Sequence, residues 1–282
     1  MIADYIKAEN VSQALEALDD NQPMARVLAG GTDLMQKTRA TRQKKTNDIV
    51  FVDIKGIEEL KGIRREGDCL VIGSATTLDE LMRHEMIAAY APDLIKAAGY
   101  VGSMELRNRA TVGGNICTKN PAADLLVPLL AQNARVEVCD LSGRKEVDLA
   151  EVIAGRLRGF GRRTIITAIK VPIAGTMITG YRRWTRESMG RSYLTAMVVM
   201  QPAETDKFTV KAVIGGAGLW PGSFTEVVSR DALEDTETCK TFCEKLIQDK
   251  LGAADNDNVA YRKQLAWVLI YEALEIALKG VK

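Results

Sequence analysis

Two glycine pairs carry the strongest chemical signal in this chain. Gly30 and Gly31 lie in VLAGGTDLM (27–35), between a short apolar run and a helical pattern. Gly113 and Gly114 lie in LRNRATVGGNICTKNPAAD (106–124), where TVGGN follows a basic segment and precedes Asp124 at the mouth of an apolar helix. Glycine has no Cβ, so such a turn can take positive φ, approach a ligand closely and leave amide N–H groups free for anionic oxygens. A helix N-terminus after the turn adds its own amides and dipole. Two such turns suit a diphosphate held from both sides. Thr32, Thr111 and Thr118 can donate to phosphate, while Asp33 and Asp124 can accept from sugar or ribityl hydroxyls. Either pair alone is better read as closing a hairpin or ending a strand; their combination with these neighbours points to a cofactor cradle.

Other chemistries find little support. Iron–sulfur and structural zinc sites need several closely spaced thiolates or imidazoles. This chain has one histidine, His84, and five cysteines, Cys69, Cys117, Cys139, Cys239 and Cys243, with no C-x-x-C. Cys239 and Cys243 share a helix face but lack further ligands. His84 ends the helical pattern LDELMRH, where the dipole favours it, and no catalytic dyad can be built on it. Lys and Arg number 38 against 37 Asp and Glu, a formal charge of +1, so no global basic field attracts nucleic acid or a membrane surface. The partner expected is a small molecule or a protein. Met1 leads into an amphipathic segment without a leader pattern, and no apolar run reaches membrane-spanning length; a cytoplasmic protein is expected.

The elements that must position these residues follow from the periodicity. A length of 282 residues with 46% hydrophobic content allows two or three domains. Ser12 can cap a helix through Asp20, 24–29 reads as a strand feeding the first glycine pair, 34–42 as a helix and 48–54 as a buried strand. Residues 69–73 form a strand, Thr77 caps LDELMRH, and Pro92 or Asp93 opens a helix that Gly99 stops. After the second pair come a short apolar helix (125–131), a strand (135–139), a turn (141–143) and a strand (164–171) ended by Pro172. Segments 180–184, 193–201 and 207–215 read as antiparallel strands, and 237–250 and 259–279 as helices. Strands followed by helices with short connections argue α+β, divided at 1–55, 56–175 and 176–282.

Nucleotide signatures of other kinds fail. GGTDLMQK (30–37) lacks the P-loop spacing, and GAGLWP (216–221) lacks the third glycine of G-x-G-x-x-G. The cluster Arg182, Arg183, Arg186 and Arg191 reads as a solvated strand edge or as a patch facing an anionic cofactor or acidic surface.

With VLAGGTDLM, LVIGSATT (70–77), LRNRATVGGNICTKNPAADLL (106–126), ITAIKVP (166–172) and YRKQLA (261–266), the chain resembles, from end to end, the FAD-binding medium subunits of molybdenum hydroxylases such as carbon monoxide dehydrogenase and bacterial xanthine dehydrogenases. The resemblance implies a PCMH-type fold of two α+β subdomains that hold FAD between them, followed by a C-terminal domain with an antiparallel sheet and helices. Carried over, Ala29, Gly30, Gly31, Thr32 and Asp33 hold the diphosphate from one side and Thr111, Gly114 and Asn115 from the other. Asp124 bonds the ribityl chain, Ile165 or Ile166 lies near the isoalloxazine, and Tyr193 packs against it. Leu28, Leu34, Val101 and Thr118 complete the implied set. Many relatives carry a lysine and an aspartate in the segment matching 185–192, where this chain has Thr185 and Ser192 among arginines. The resemblance also implies partners: a molybdopterin-binding large subunit and a [2Fe-2S] small subunit, with NAD+ or another acceptor taking the electrons. The alternatives are a self-sufficient FAD-dependent reductase or oxidase, and a flavin-free assembly scaffold.

Overall fold

The computed structural model describes residues 2–41, 49–156, 163–173, 175, 177–187, 190–235, 237, 240–241, 244 and 259–280. Apolar positions at helical spacing give α1 (Val11–Asp20) a buried face of Val11, Ala14, Leu15, Ala17 and Leu18. Its cap is Asn10, whose side chain accepts the Gln13 N–H at 2.9 Å; the expected cap, Ser12, lies inside the first turn. α1 connects β1 (Ile2–Lys7) to β2 (Ala25–Leu28), α2 (Leu34–Thr41) follows, and β3 (Ile49–Asp53) lies between the two strands in the parallel order β1-β3-β2. Parallel neighbours need crossovers, and a helix supplies one here. The first glycine pair leaves the carboxyl end of β2.

A second sheet, antiparallel in the order β4-β5-β8-β6-β7, comprises β4 (Ile63–Glu66), β5 (Cys69–Gly73), β6 (Arg135–Asp140), β7 (Gly143–Asp148) and β8 (Ile165–Pro172). Between β5 and β6 run α3 (Leu78–Arg83), α4 (Glu85–Tyr90), α5 (Pro92–Gly99), α6 (Met104–Arg107), α7 (Val112–Cys117) and α8 (Leu126–Ala131), and α9 (Leu149–Ala154) follows β7. Thr77 caps α3 in a reciprocal box with Glu80. His84 ends α3 as its C-cap, as the pattern LDELMRH predicts, and also opens the next helix. Its Nδ1 accepts the Met86 N–H at 3.3 Å and caps α4, a role that requires a lone pair on that nitrogen.

The remaining sheet is an antiparallel meander of β9 (Ile178–Trp184), β10 (Leu194–Pro202), β11 (Lys207–Gly216) and β12 (Leu219–Ser229). β12 was hidden in the sequence by Pro221 and Gly222, which an edge strand tolerates. α10 (Arg230–Glu234) follows, and α11 (Val259–Lys279) buries Ala266, Leu269, Ile270, Ala273, Leu274 and Ala277 in a core with Val198, Met200, Val210 and Ala212. The helix backbone rests on β9, since a Cβ at Gly180 would fall 1.8 Å from the Ala273 carbonyl oxygen. The expected helix 237–250, like Arg42, Asp48, Cys239 and Cys243, lies wholly or mostly outside the described residues.

The chain divides into two compact units, Met1–Lys119 with Ala134–Ile173, and Asn120–Asn133 with Ala174–Lys282. The segment bearing Asp124 and α8 is therefore built into the second unit, where Lys211 of β11 donates to the Leu130 carbonyl and to Asn133 Oδ1, both at 2.6 Å. Among the described residues no helix is long and apolar enough to cross a membrane.

Candidate cofactor site

In the first unit, β2 ends at the buried Leu28, whose carbonyl takes the Ile54 N–H at 3.0 Å, and the chain then turns through Ala29 to Asp33 into α2. Gly31 has φ +72°, the left-handed conformation that glycine adopts without strain. None of the turn and loop hydrogen bonds among the described residues is donated by a backbone N–H of Ala29, Gly30, Gly31, Thr32 or Asp33. These amides include orphan donors of the α2 N-terminus. Leu34 begins α2, its carbonyl bonded by the Thr38 hydroxyl at 2.8 Å.

The second glycine pair differs from the expected open turn. TVGGN forms the start of α7, with Thr111 as its cap. The Val112 N–H goes to the Thr76 carbonyl, the Gly113 N–H to Ser74, the Gly114 N–H to Thr111 Oγ1 at 3.1 Å and the Asn115 N–H to the Thr111 carbonyl. The amides here are spent on holding the segment, and neither glycine has positive φ. Gly113 is required for another reason: a Cβ would lie 2.7 Å from Ser74 Cβ. The Ser74 hydroxyl is buried and has no hydrogen-bond partner among the described residues.

The two pairs nevertheless meet. A Cβ on Gly30 would lie 1.9 Å from the Arg109 carbonyl oxygen and 3.0 Å from Ala110 Cα, so the first turn is seated on the residues that lead into Thr111. Lys37, one helical turn beyond Asp33, ties the two from the other end. Its ammonium pairs with Asp33 Oδ2 at 2.6 Å and donates to the Thr118 carbonyl at 2.8 Å. The Thr118 hydroxyl itself bonds the Asn115 carbonyl at 2.9 Å. Val101 is fastened elsewhere, into a hub where Arg107 Nη1 donates to the carbonyls of Gly99, Val101 and Gly102. Ile165 and Ile166 are both buried on β8, and Ile165 packs in the core with Val11, Val52, Ile54 and Ile57.

In the second unit, Asp124 is bound to Arg183 Nε at 2.8 Å, with the two side chains only 12% and 5% exposed. Burial pushes the Asp124 carboxyl above the usual carboxylate range, and the Arg183 guanidinium partly opposes this. Arg183 also donates to the Gly190 carbonyl at 2.8 Å. Tyr193 is buried, and its hydroxyl accepts from Arg262 Nε at 3.0 Å. The arginine cluster thus has separate duties: Arg182 pairs with Glu272, Arg183 with Asp124, and Arg186 lies over the Tyr193 ring. Sequence reasoning missed Lys37 and Arg262, and singled out Arg183 only as one of an arginine cluster, without its partner Asp124. The i, i+4 spacing of Asp33 and Lys37 was a visible signal, whereas no local pattern joins Asp124 to Arg183.

The family model described as the FAD binding domain in molybdopterin dehydrogenase matches residues 1–174. The chain belongs to this family. It is 36% identical over 137 residues to the xanthine dehydrogenase FAD-binding subunit of Escherichia coli O157:H7, covering 48% of this chain and 46% of that one. The chain therefore matches about half the length of that relative. It is 26% identical over 290 residues to the carbon monoxide dehydrogenase medium chain of Afipia carboxidovorans, covering 99% and 98% of the two chains. A solved carbon monoxide dehydrogenase from Hydrogenophaga pseudoflava, lacking the Mo-pyranopterin moiety of its molybdenum cofactor, shares the fold with a TM-score of 0.82 at 22% identity, over 99% of this chain and 98% of that chain. The cofactor of the family is FAD, and the first unit fits its phosphates: amides at a helix N-terminus that have no partner among the described residues supply donors, and the Ser74 hydroxyl, also without one there, supplies a further polar atom against the second turn.

Proposed function

We propose that the chain is the FAD-carrying electron-transfer subunit of a cytoplasmic, multi-subunit molybdenum-containing hydroxylase. Substrate oxidation belongs to a molybdopterin-binding large subunit, electrons arrive through a [2Fe-2S] small subunit, and NAD+ or another acceptor takes them away. The observation that carries this reading is the seating of Gly30 on the Arg109 carbonyl, which brings the two glycine motifs into one cradle. The names of the relatives above, which are subunits and chains of dehydrogenases, support the division of labour.

In this reading residues 1–55 and 56–175 are the two FAD-binding subdomains and 176–282 the C-terminal domain. Ala29 to Asp33 donate backbone N–H groups to the diphosphate, flanked by Leu28 and Leu34. Thr111, Gly114, Asn115 and Thr118 shape the opposite wall, with Thr111 holding the Gly114 amide and Lys37 holding Thr118. Asp124, oriented by Arg183, accepts from the ribityl chain. Val101, Ile165 and Tyr193 line the remainder. Bound FAD supplies the exchange between one-electron and two-electron carriers, while the protein contributes position and electrostatics. Among the described residues no three His, Cys, Asp or Glu side chains gather as a metal site.

Purification from the native host tests this reading. Flavin, molybdenum and iron should come down with this chain in one complex. A chain that binds FAD and turns over substrate without partners supports the self-sufficient reductase or oxidase instead, and one that takes up no FAD supports the scaffold.

A further inference from the structure

An acidic side chain stands at the end of the first glycine turn. Asp33 follows Gly30, Gly31 and Thr32 directly, and Leu34 opens α2. A carboxylate beside a helix N-terminus is ordinarily favoured by the dipole. A diphosphate on the same amides brings two further negative charges, and like charges in one place repel. A turn built this way takes a dianion only if a cation offsets the carboxylate.

Lys37 supplies that cation. Its ammonium lies 2.6 Å from Asp33 Oδ2, one helical turn along, and donates to the Thr118 carbonyl at 2.8 Å. The two side chains are 58% and 33% exposed, and an exposed pair of this kind contributes little to folding stability. The charge it cancels nevertheless sits where the proposed ligand is most negative. Thr118 is the C-cap of α7, and its hydroxyl bonds the Asn115 carbonyl at 2.9 Å. The ammonium is thus held by the second motif as well as by the first, on segments that Gly30 already joins through Arg109. We propose that Lys37 is a positioning residue for the diphosphate. It acts through Asp33, cancelling the carboxylate charge so that the amides of residues 29–33 accept a dianion. This deepens the proposed function and rests on it.

Titration of the apo chain with FAD, followed by flavin fluorescence at low and at high ionic strength, tests the assignment. Lys37→Gln removes the charge while its amide can still donate to the Thr118 carbonyl. It should weaken FAD about tenfold at low salt, as one uncompensated carboxylate near two negative charges does in a water-like dielectric. At about 1 M salt, where screening acts within roughly 3 Å, the loss should shrink to about twofold. Unfolding of the apo chain should hardly change, because the pair is exposed. Adding Asp33→Asn to Lys37→Gln should return FAD affinity to within about twofold of wild type, the non-additivity expected of a coupled pair. Lys37→Arg should bind as wild type does. A double variant as weak as Lys37→Gln overturns the inference, since Lys37 would then touch a phosphate itself or act through Thr118. Wild-type affinity in Lys37→Gln overturns it too, as does a loss of equal size at both salt concentrations. In each of these cases the wild-type chain binds FAD, and the function beneath stands. A wild-type chain that takes up no FAD overturns both.

Discussion

Gly30→Ala tests the physical reason for the first glycine pair. The new Cβ would stand 1.9 Å from the Arg109 carbonyl oxygen, against 3.4 Å for an ordinary contact, and 2.7 Å from Arg109 C. The obstacle is backbone on both sides, so no side chain can swing away, and the turn must part from residues 109–110 by roughly 1.5 Å. Overpacking of this kind costs about 1 to 3 kcal/mol, and the upper end is expected where backbone must move. Gly31→Ala is the control. Its φ of +72° penalises a side chain by about 1 to 2 kcal/mol, but the nearest atom is Leu28 Cδ1 at 3.1 Å, the flexible end of a side chain. Gly30→Ala should therefore be the more damaging of the two although its φ is ordinary. It should also weaken FAD by at least about tenfold, the equivalent of 1.4 kcal/mol, because the two halves of the cradle separate. Urea unfolding of the apo chain and titration followed by flavin fluorescence measure both effects. A Gly30→Ala protein within about 0.5 kcal/mol of wild type, with FAD affinity changed less than twofold, would refute the seating of one motif on the other.

Arg183→Met should destabilise the chain by about 3 to 5 kcal/mol by stranding the buried Asp124 carboxylate, and adding Asp124→Leu should restore most of the loss; denaturant unfolding of both variants checks this, and a near-neutral single variant would contradict it. Lys211 is pushed down to about 8 by burial. A base with a lowered folded value contributes stability that is present above its unfolded value of about 10.4 and is lost as pH falls through the folded one. Stability measured from pH 8 to 10.5 should therefore contain a rising component that Lys211→Met removes; identical pH profiles would dismiss it. Thr111→Ala should cost about 1 kcal/mol as a lost cap on the Gly114 N–H, with weaker FAD binding, measured by thermal unfolding and flavin release. Full stability in that variant would show that the cap contributes nothing.

Much of the architecture was written in local pattern. The strand at Cys69–Gly73, the capping box on Thr77 and the helix Val259–Lys279 follow from alternation, capping chemistry and 3.6-residue periodicity, and they form where those patterns place them. TVGGN misled because two glycines look like a turn, whereas the Thr111 hydroxyl and the Ser74 and Thr76 carbonyls hold the segment in a helix. β12 was lost because Pro and Gly argue against strands unless the strand is known to lie at an edge. The glycine pairs stand out in the sequence, but the packing reason for them does not. Gly30 and Gly113 exist for close approach of one backbone to another, a fact that requires knowing which segments meet. Lys37 could have been found from its spacing to Asp33, while Arg183 and Arg262 act across 59 and 69 residues on Asp124 and Tyr193, where sequence offers no guide.

In the proposed function, the amides of residues 29–33 and two joined glycine motifs grip a diphosphate. Parallel calorimetric titrations of the apo chain with FAD and with riboflavin, which has the same ring and ribityl chain but no phosphate, test it most directly. One FAD per chain should bind, with riboflavin at least about a hundredfold weaker, equivalent to losing two charge-assisted hydrogen bonds at about 1.5 kcal/mol each. Riboflavin binding as tightly as FAD would place the grip elsewhere and contradict the claim.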